Sequence, residues 1–159
     1  MLLKLDRLAF PMKTVFTLAE ELRRNPERVA IAQALTMDAS KPLMGLKGTY
    51  GFFGSEAWWR GIEERRTPLR YEAGKISRAY CGGQDRSEIN NTVDLVTSDD
   101  RVIRVGIFTN DEQDIALFRE GSWVEVVHAL DELKRPARDS SINHVEITLE
   151  MAVSFRPID

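Results

Sequence analysis

The sequence predicts an α+β fold in which N-terminal helices pack on a small, mostly antiparallel five-stranded barrel or strongly bent sheet. Apolar residues before Pro68 recur at helical spacing, whereas those after it alternate with polar residues, as in half-buried strands. A short segment, Asp111 to Phe118, lies between two of the alternating stretches. It is too short for a crossover helix between parallel strands, but a helix of this length can plug the end of a small barrel.

The N-terminal part is predicted to contain a helical hairpin. Residues 1–12 form either a short strand or an apolar strap. Helical spacing of apolar residues predicts a first helix over Thr14 to Arg24 and a second over Pro26 to Leu35. The pair resembles a helix-turn-helix in outline, but the second helix offers only Arg28 and Gln33 for reading bases, so a plain helical hairpin is favoured.

Glycine recurs at every third position between residues 45 and 54, in the segment LMGLKGTYGFFGS. This spacing is not the GxGxxG of a nucleotide-phosphate loop. It predicts an irregular segment that lies close to other backbone, where side chains would not fit. Ser55 then predicts the cap of a third helix, EAWWRGIEERR, which ends before Pro68. Because adjacent helical residues point about 100° apart, we expect Trp58 and Trp59 to be unequally buried, with one partly exposed.

Period-two alternation predicts five strands in the rest of the chain. They are Leu69 to Cys81, Thr92 to Thr97, Ile103 to Ile107, Val124 to Leu130 and His144 to Phe155. Gly74 is a candidate bulge in the first strand, and a polar loop over residues 81–91 joins it to the second. The last strand has an apolar face and a polar face. Its charged residues Glu146 and Glu150 disfavour pairing with a second copy of the chain.

The strand order, with a short helix between the third and fourth strands, resembles the oligonucleotide- and oligosaccharide-binding (OB) class of small barrels. This is an analogy of fold that carries no function by itself. The sequence divides into an N-terminal helical segment, residues 1–68, and an OB-like barrel, residues 69–159. We expect the two to pack as one compact unit, because 159 residues are enough to bury a core without disulfides or metal.

Composition bounds the compartment and the partner. Cys81 is the one cysteine, so an internal disulfide is excluded and nothing indicates an oxidising compartment. No apolar run approaches the ~20 residues of a membrane span, so we expect a cytoplasmic protein without a membrane partner. A formal net charge of −3 disfavours nucleic acid as a partner without excluding it. The sequence does not determine the oligomeric state.

Few residues suggest a chemical site. Cys81 with His128 or His144 is the nominal nucleophile and base, but no flanking signature supports the pair, and a semi-buried structural cysteine is favoured. Residues 110–114 offer oxygen ligands without the spacing of a calcium loop. The sequence therefore predicts no cofactor, no metal site and no catalytic residue, and leaves open an enzyme whose site only the fold would reveal.

Aromatic and basic residues between Tyr50 and Arg66 predict a surface that binds a protein, because binding hot spots are enriched in Trp, Tyr and Arg. The predicted partner-binding residues are Tyr50, Phe53, Trp58, Trp59, Arg60 and Arg65. A compact acidic protein that has such a surface and no assembled catalytic set would suit a non-enzymatic binding module, including a bacterial inhibitor or immunity protein. The alternative is a module that binds single-stranded nucleic acid or oligosaccharide on the barrel face. That face would present Arg78, Tyr80, Arg101, Arg104 and Phe108.

Overall fold

The computed structural model describes residues 1–83 and 89–159, so residues 84–88 of the predicted polar loop lie outside the described part. Short 3-10 helices occur at Leu5–Arg7 and Glu112–Leu117. The strands are β1 (Met12–Thr17), β2 (Leu69–Tyr80), β3 (Thr92–Val96), β4 (Val102–Gly106), β5 (Trp123–Glu132) and β6 (His144–Ser154). The α-helices are α1 (Leu18–Arg24), α2 (Glu27–Met37) and α3 (Glu56–Glu63).

The strands form one sheet in the order β1-β6-β5-β2-β3-β4. Pairing is antiparallel between β1 and β6, between β2 and β3, and between β3 and β4. The predicted α+β class is confirmed, and each of the five predicted strands is present. The sheet has six strands instead of five, and it is open with β1 and β4 at its two ends, so of the two predicted forms the closed barrel is wrong and the bent sheet is compatible.

The additional strand, β1, lies where the sequence predicted the beginning of the first helix. The spacing of Val15, Leu18 and Leu22 suits a helix, but the helix begins only at Leu18. Val15 and Phe16 are buried, and β1 pairs with β6 through a register shift between Thr14 and Phe16. The prediction was wrong here because β-branched residues favour extended chain and because the pairing partner is distant in sequence.

The chain that follows β4 returns to β1, and this return requires the sheet to curve. The backbone N–H of Asn110 donates to Val15 O at 2.8 Å, and Asn110 Oδ1 accepts from Thr17 N at 2.9 Å. The steps from Gly106 to Asn110 span at most about 14 Å, and the hydrogen bond adds about 5 Å between the paired residues. A flat six-stranded sheet would separate its outer strands by about 24 Å. The sheet is therefore bent.

Residue contacts divide the chain into two compact units. Unit 1 comprises residues 1–18, 71–127 and 148–159, and unit 2 comprises residues 19–70 and 128–147. Most residues of the sheet belong to unit 1, whereas α2 and α3 belong to unit 2. Within the described ranges, none of the helices combines the length and the apolar character that crossing a membrane requires.

Strand β6 is buried on both faces along most of its length. Every residue from Ile147 to Ser154 is buried, including Glu150, which is 9% exposed. The prediction that Glu146 and Glu150 mark a charged free edge is wrong, because β6 lies between β1 and β5. Its alternating polar residues suggested a solvent face, but those from Thr148 to Ser154 are buried.

The Glu150 carboxylate is covered in unit 1 by the N-terminal segment. Its oxygens accept the backbone N–H of Leu2 at 2.9 and 3.0 Å and that of Leu3 at 2.9 Å. Hydrogen bonds to a charged acceptor are about twice as strong as those between neutral groups. Of the two forms expected for residues 1–12, the part before β1 is therefore the strap, and it is fastened by a buried carboxylate.

Strand β2 contains a bulge, but not at the predicted residue. The register between β2 and β3 shifts between Ile76 and Arg78, which places the bulge at Ser77. A Cβ at Gly74 would lie 2.8 Å from Val96 O. Gly74 therefore permits the close approach of two strands, and the prediction of a bulge there is wrong.

In unit 2 the glycine-rich segment lies close to α2 and α3, as the sequence predicts. Gly45, Gly48, Gly51 and Gly54 all have positive φ, between 75° and 104°. A Cβ at Gly51 would lie 2.9 Å from the backbone N of Trp58, and one at Gly54 would lie 2.8 Å from Val29 Cγ2. Larger residues would push these helices away from the segment, so the glycines set the packing distance.

Trp58 anchors α3. Ser55 caps the helix, since its Oγ accepts from Trp58 N at 3.2 Å. The indole is fully buried, and its Nε1 donates to Asp131 Oδ2 at 2.9 Å. Burial raises the pKa of the Asp131 carboxyl above its ordinary value, although the indole N–H and the backbone N–H of Glu132 both stabilise the charged form.

We predict that Glu150→Gln lowers the free energy of unfolding by about 1–3 kcal/mol, because the amide keeps one acceptor and directs N–H groups at backbone donors. Urea titration followed by circular dichroism measures the change. Glu146→Gln on the same strand is the matched control, and its effect should be within about 0.5 kcal/mol because Glu146 is exposed. Equal losses in the two variants would contradict the role assigned to Glu150.

We predict that Trp58→Phe costs about 2–4 kcal/mol at pH 7, because it removes buried volume and leaves Asp131 Oδ2 without its donor. A raised folded-state pKa means that Asp131 favours folding most when protonated and loses that contribution as pH rises through the folded pKa. Losing the indole donor raises this pKa further, so the cost should be smaller near pH 4 than at pH 7. Trp59→Phe is the control, and equal costs of Trp58→Phe at both pH values would contradict the pairing.

Candidate partner-binding site

Helix α3 carries most of the predicted partner-binding residues, and its C-terminal end is tightly closed. Arg65 adopts a φ of 61°, and the backbone N–H groups of Arg66 and Thr67 both donate to Gly61 O, at 2.9 and 3.2 Å. This closure turns the chain sharply after the helix. It leaves Arg65 exposed at the end of α3.

The two adjacent tryptophans are unequally buried, which confirms the expectation from their helical spacing. Trp58 is fully buried and Trp59 is half-buried. Their rings meet edge to face with centroids 4.9 Å apart, and Phe53, 3% exposed, meets Trp58 in the same way at 5.1 Å. Phe53 and Trp58 are therefore the interior members of this aromatic cluster, and Trp59 is the member that has solvent-accessible area.

Both predicted arginines are exposed and are held by neighbours on the helix. Arg60 Nη2 donates to Glu56 Oε1 at 2.8 Å, and Arg65 Nη1 donates to Ile62 O at 3.2 Å. Exposed pairs of this kind add little stability. Their effect is to restrict where the guanidinium groups lie. We call Trp59, Arg60 and Arg65 the α3 surface.

Tyr50 precedes this helix in the sequence and is half-buried. Its phenol stays protonated near neutral pH. Burial raises the pKa of Tyr50, and the negative charges of Glu132 and Asp131 raise it further. Glu132 in turn accepts from Thr49 Oγ1 at 2.9 Å. Phe52, which belongs to the same aromatic segment but was not among the predicted partner-binding residues, is 42% exposed. Its neighbour Phe53 points inward, and adjacency to a buried aromatic is the signal that could have identified it.

The structure brings together three residues of the predicted barrel face, on the outer face of β2, β3 and β4 in unit 1. Tyr80 Oη donates to Asp94 Oδ1 at 2.8 Å. The guanidinium carbons of Arg78 and Arg104 lie 4.1 and 5.8 Å from the centroid of the Tyr80 ring. Arg104 Nε also lies 3.5 Å from Asp94 Oδ1. Asp94 was not predicted, yet its carboxylate links the cluster.

The other two residues predicted for that face have different neighbours. Arg101 Nε donates to Asp99 Oδ2 at 2.8 Å in the turn between β3 and β4. Phe108 is 41% exposed and packs against Phe16, with ring centroids 5.6 Å apart. Phe108 thus contributes to the return of the chain to β1.

The residues considered for catalysis and metal binding differ in their burial. Cys81 is half-buried, His128 is 3% exposed and His144 is exposed. In the acidic segment before β5, Asp114 is 6% exposed and accepts from Lys13 Nζ at 2.7 Å. Together with Asn110, it therefore attaches this segment to β1.

Comparison with known proteins identifies the family. A sequence profile of the family described as Immunity protein RhsI2 matches residues 12–154. The match begins at the first residue of β1 and ends at the last residue of β6, so it includes every strand and α-helix described above. No curated protein matches the sequence significantly. Because the profile covers most of its length, the chain belongs to the RhsI2 immunity protein family.

Proposed function

We propose that the protein is a non-enzymatic immunity protein that neutralises a toxin by binding it. The match of the immunity family over all six strands carries this proposal. The sequence indicates the same class independently, because it offers no assembled catalytic set and contains an aromatic and basic segment suited to protein recognition. An immunity protein requires a protein partner, and the proposal therefore concerns which surface meets it.

We further propose that the α3 surface is a contact site for the toxin. Trp59 rests edge-on against Trp58, whose indole is fixed by Asp131. A partner would therefore meet an aromatic ring that is already ordered, and binding would cost less side-chain entropy. Large aromatic side chains with a supported position are typical binding hot spots.

Arg60 and Arg65 extend this contact with positive charge. Guanidinium groups bind carboxylates and backbone carbonyls with several parallel donors. The toxin is thus expected to present acidic or carbonyl groups around an apolar spot that receives Trp59. Phe53 and Trp58 are buried, so in this proposal they support Trp59 without touching the toxin. Both are therefore removed from the set of predicted contact residues.

For the compartment we propose the cytoplasm. Cys81 is the one cysteine of the sequence and is half-buried, so an internal disulfide is excluded. A protein without a disulfide is compatible with a reducing environment.

Binding of single-stranded nucleic acid is the second candidate, because Arg78, Tyr80 and Arg104 form a cluster of the kind that stacks on bases. Asp94 within the same cluster opposes phosphate groups, and the net charge of −3 does so over longer range. We rank this candidate below toxin binding.

The immobilised protein should capture from a lysate of its native host a protein that stops growth when expressed alone. Co-expression of this chain should restore growth, measured as colony counts. If neutralisation is by binding, residual toxin activity in vitro should fall linearly and reach zero near equimolar amounts. Complete neutralisation at a small fraction of the toxin concentration would indicate an enzyme. Harmless captured proteins, or a toxin whose effect persists, would contradict the function.

With that toxin as the probe, Trp59→Ala should weaken binding at least about 10-fold, since hot-spot truncations cost about 2 kcal/mol or more. Arg60→Ala should weaken it by a smaller factor. Isothermal titration calorimetry measures both. Tyr71→Ala is the matched control, because Tyr71 is an aromatic residue 52% exposed outside the α3 surface. Equal affinities of Trp59→Ala and Tyr71→Ala would exclude the α3 surface as the contact.

A further inference from the structure

Strand β4 lies at one end of the sheet, and its hydrogen-bond phase shows which backbone groups are turned outward. Thr97 N donates to Arg101 O and Ile107 N donates to Asn91 O, each at 2.8 Å. In an antiparallel ladder the hydrogen-bonded pairs recur at every second residue. The same phase makes Ile103 and Val105 the residues of β4 that bond to β3. They pair with Leu95 and Val93.

The backbone N–H and C=O groups of Val102, Arg104 and Gly106 therefore point away from β3. Their side chains belong to the outer face of the sheet, where Val102 is 67% exposed and the Arg104 side chain is 73% exposed. Asp94 on β3 and Tyr80 on β2 contact the Arg104 guanidinium from the side away from this edge. An outward row of backbone donors and acceptors thus coincides with an exposed arginine on the same strand.

The opposite end of the sheet differs. The outer backbone groups of β1 are engaged by Asn110, which bonds to Val15 O, Thr17 N and Thr17 O. In the described residues, β4 is thus the end of the sheet whose outward ladder groups have no hydrogen bond of this kind. An exposed strand edge is a template for pairing with another chain.

We infer that the outer edge of β4 accepts an extended segment of the toxin that carries an acidic residue opposite Arg104. The inference rests on the proposed function for the identity of the partner. A strand added at this edge would bond to Val102, Arg104 and Gly106, and its residue opposite Arg104 would lie on the same face, with Cα atoms about 5.5 Å apart. Opposite charges in such a cross-strand pair are favourable.

Charge complementarity selects this occupant over a second copy of the chain. Full antiparallel overlap of two β4 strands places Arg104 directly opposite Arg104, and like charges in that position are destabilising. The arginine therefore disfavours self-pairing while favouring an acidic strand. Nucleic acid would not use the backbone ladder, which is the feature that distinguishes this edge.

A synthetic peptide can test the edge without the toxin. The probe is the acetylated heptapeptide Arg-Val-Ile-Glu-Val-Gly-Ile, which is the β4 segment with Glu in place of the arginine. Full antiparallel overlap then places Glu opposite Arg104. Titration into the isotope-labelled full chain should shift the amide resonances of Val102, Arg104 and Gly106 more than those of α3. The same peptide with Arg at that position should bind about 3- to 10-fold more weakly.

Val102→Pro is the decisive variant. It removes one outward N–H at the first residue of β4, a position that does not bond to β3 and where proline is tolerated. It should weaken the Glu peptide about 3- to 10-fold, in keeping with one lost hydrogen bond. Val102→Thr keeps the N–H and should bind like the parent. If Val102→Pro fails to fold, Arg104→Glu decides, because it should reverse the preference to the Arg peptide.

Absence of shifts in β4 at millimolar peptide, or equal binding by Val102→Pro and Val102→Thr, would overturn the inference. Failure of the peptide beside a toxin that is captured and neutralised would remove only the β4 edge and leave the proposed function standing. If the peptide binds specifically but the toxin is not neutralised, the proposed function is removed and the β4 edge remains a strand-binding site.

Discussion

Four carboxylates lie buried in the interior strands β5 and β6, and an unpaired charge at such a position would cost several kcal/mol. They are Glu125, Asp131, Glu132 and Glu150. Each accepts hydrogen bonds from another residue of its own unit. Glu125 takes the indole N–H of Trp123 at 2.7 Å and the guanidinium of Arg7. The need to satisfy these groups constrains what surrounds the two strands.

Apart from Trp123, which lies in β5 itself, the donors belong to peripheral segments, so the same bonds also position those segments. Glu150 fastens the N-terminal strap, Glu132 bonds to Thr49 of the glycine-rich segment, and Asp131 fixes Trp58 of α3. Trp59 packs against Trp58, so a ring of the proposed toxin contact is supported indirectly by a buried carboxylate. Replacing Asp131 is therefore expected to change the order of Trp59, although the two side chains are linked only through Trp58.

Local sequence patterns predicted the strands well because alternation over five or more residues depends on each segment alone. They failed at β1, where Val15, Leu18 and Leu22 have helical spacing although the residues before Leu18 pair with β6. They also failed at Glu150, whose covering groups are backbone N–H groups of residues 2 and 3. Both errors concern pairing or hydrogen-bonding partners that are far away in sequence. The local periodicity of apolar residues carries no information about such partners. The same reason explains why Tyr80 and Arg104 were predicted to share a face whereas Asp94, which links them, was not predicted.

Hydrogen–deuterium exchange of the protein, alone and bound to its toxin, tests the central claim most directly. If the protein neutralises the toxin through the α3 surface and the β4 edge, amides in residues 56–66 and 102–106 should exchange more slowly in the complex. Protection confined to other segments, such as α2 or residues 112–117, would contradict the account even if the toxin is neutralised.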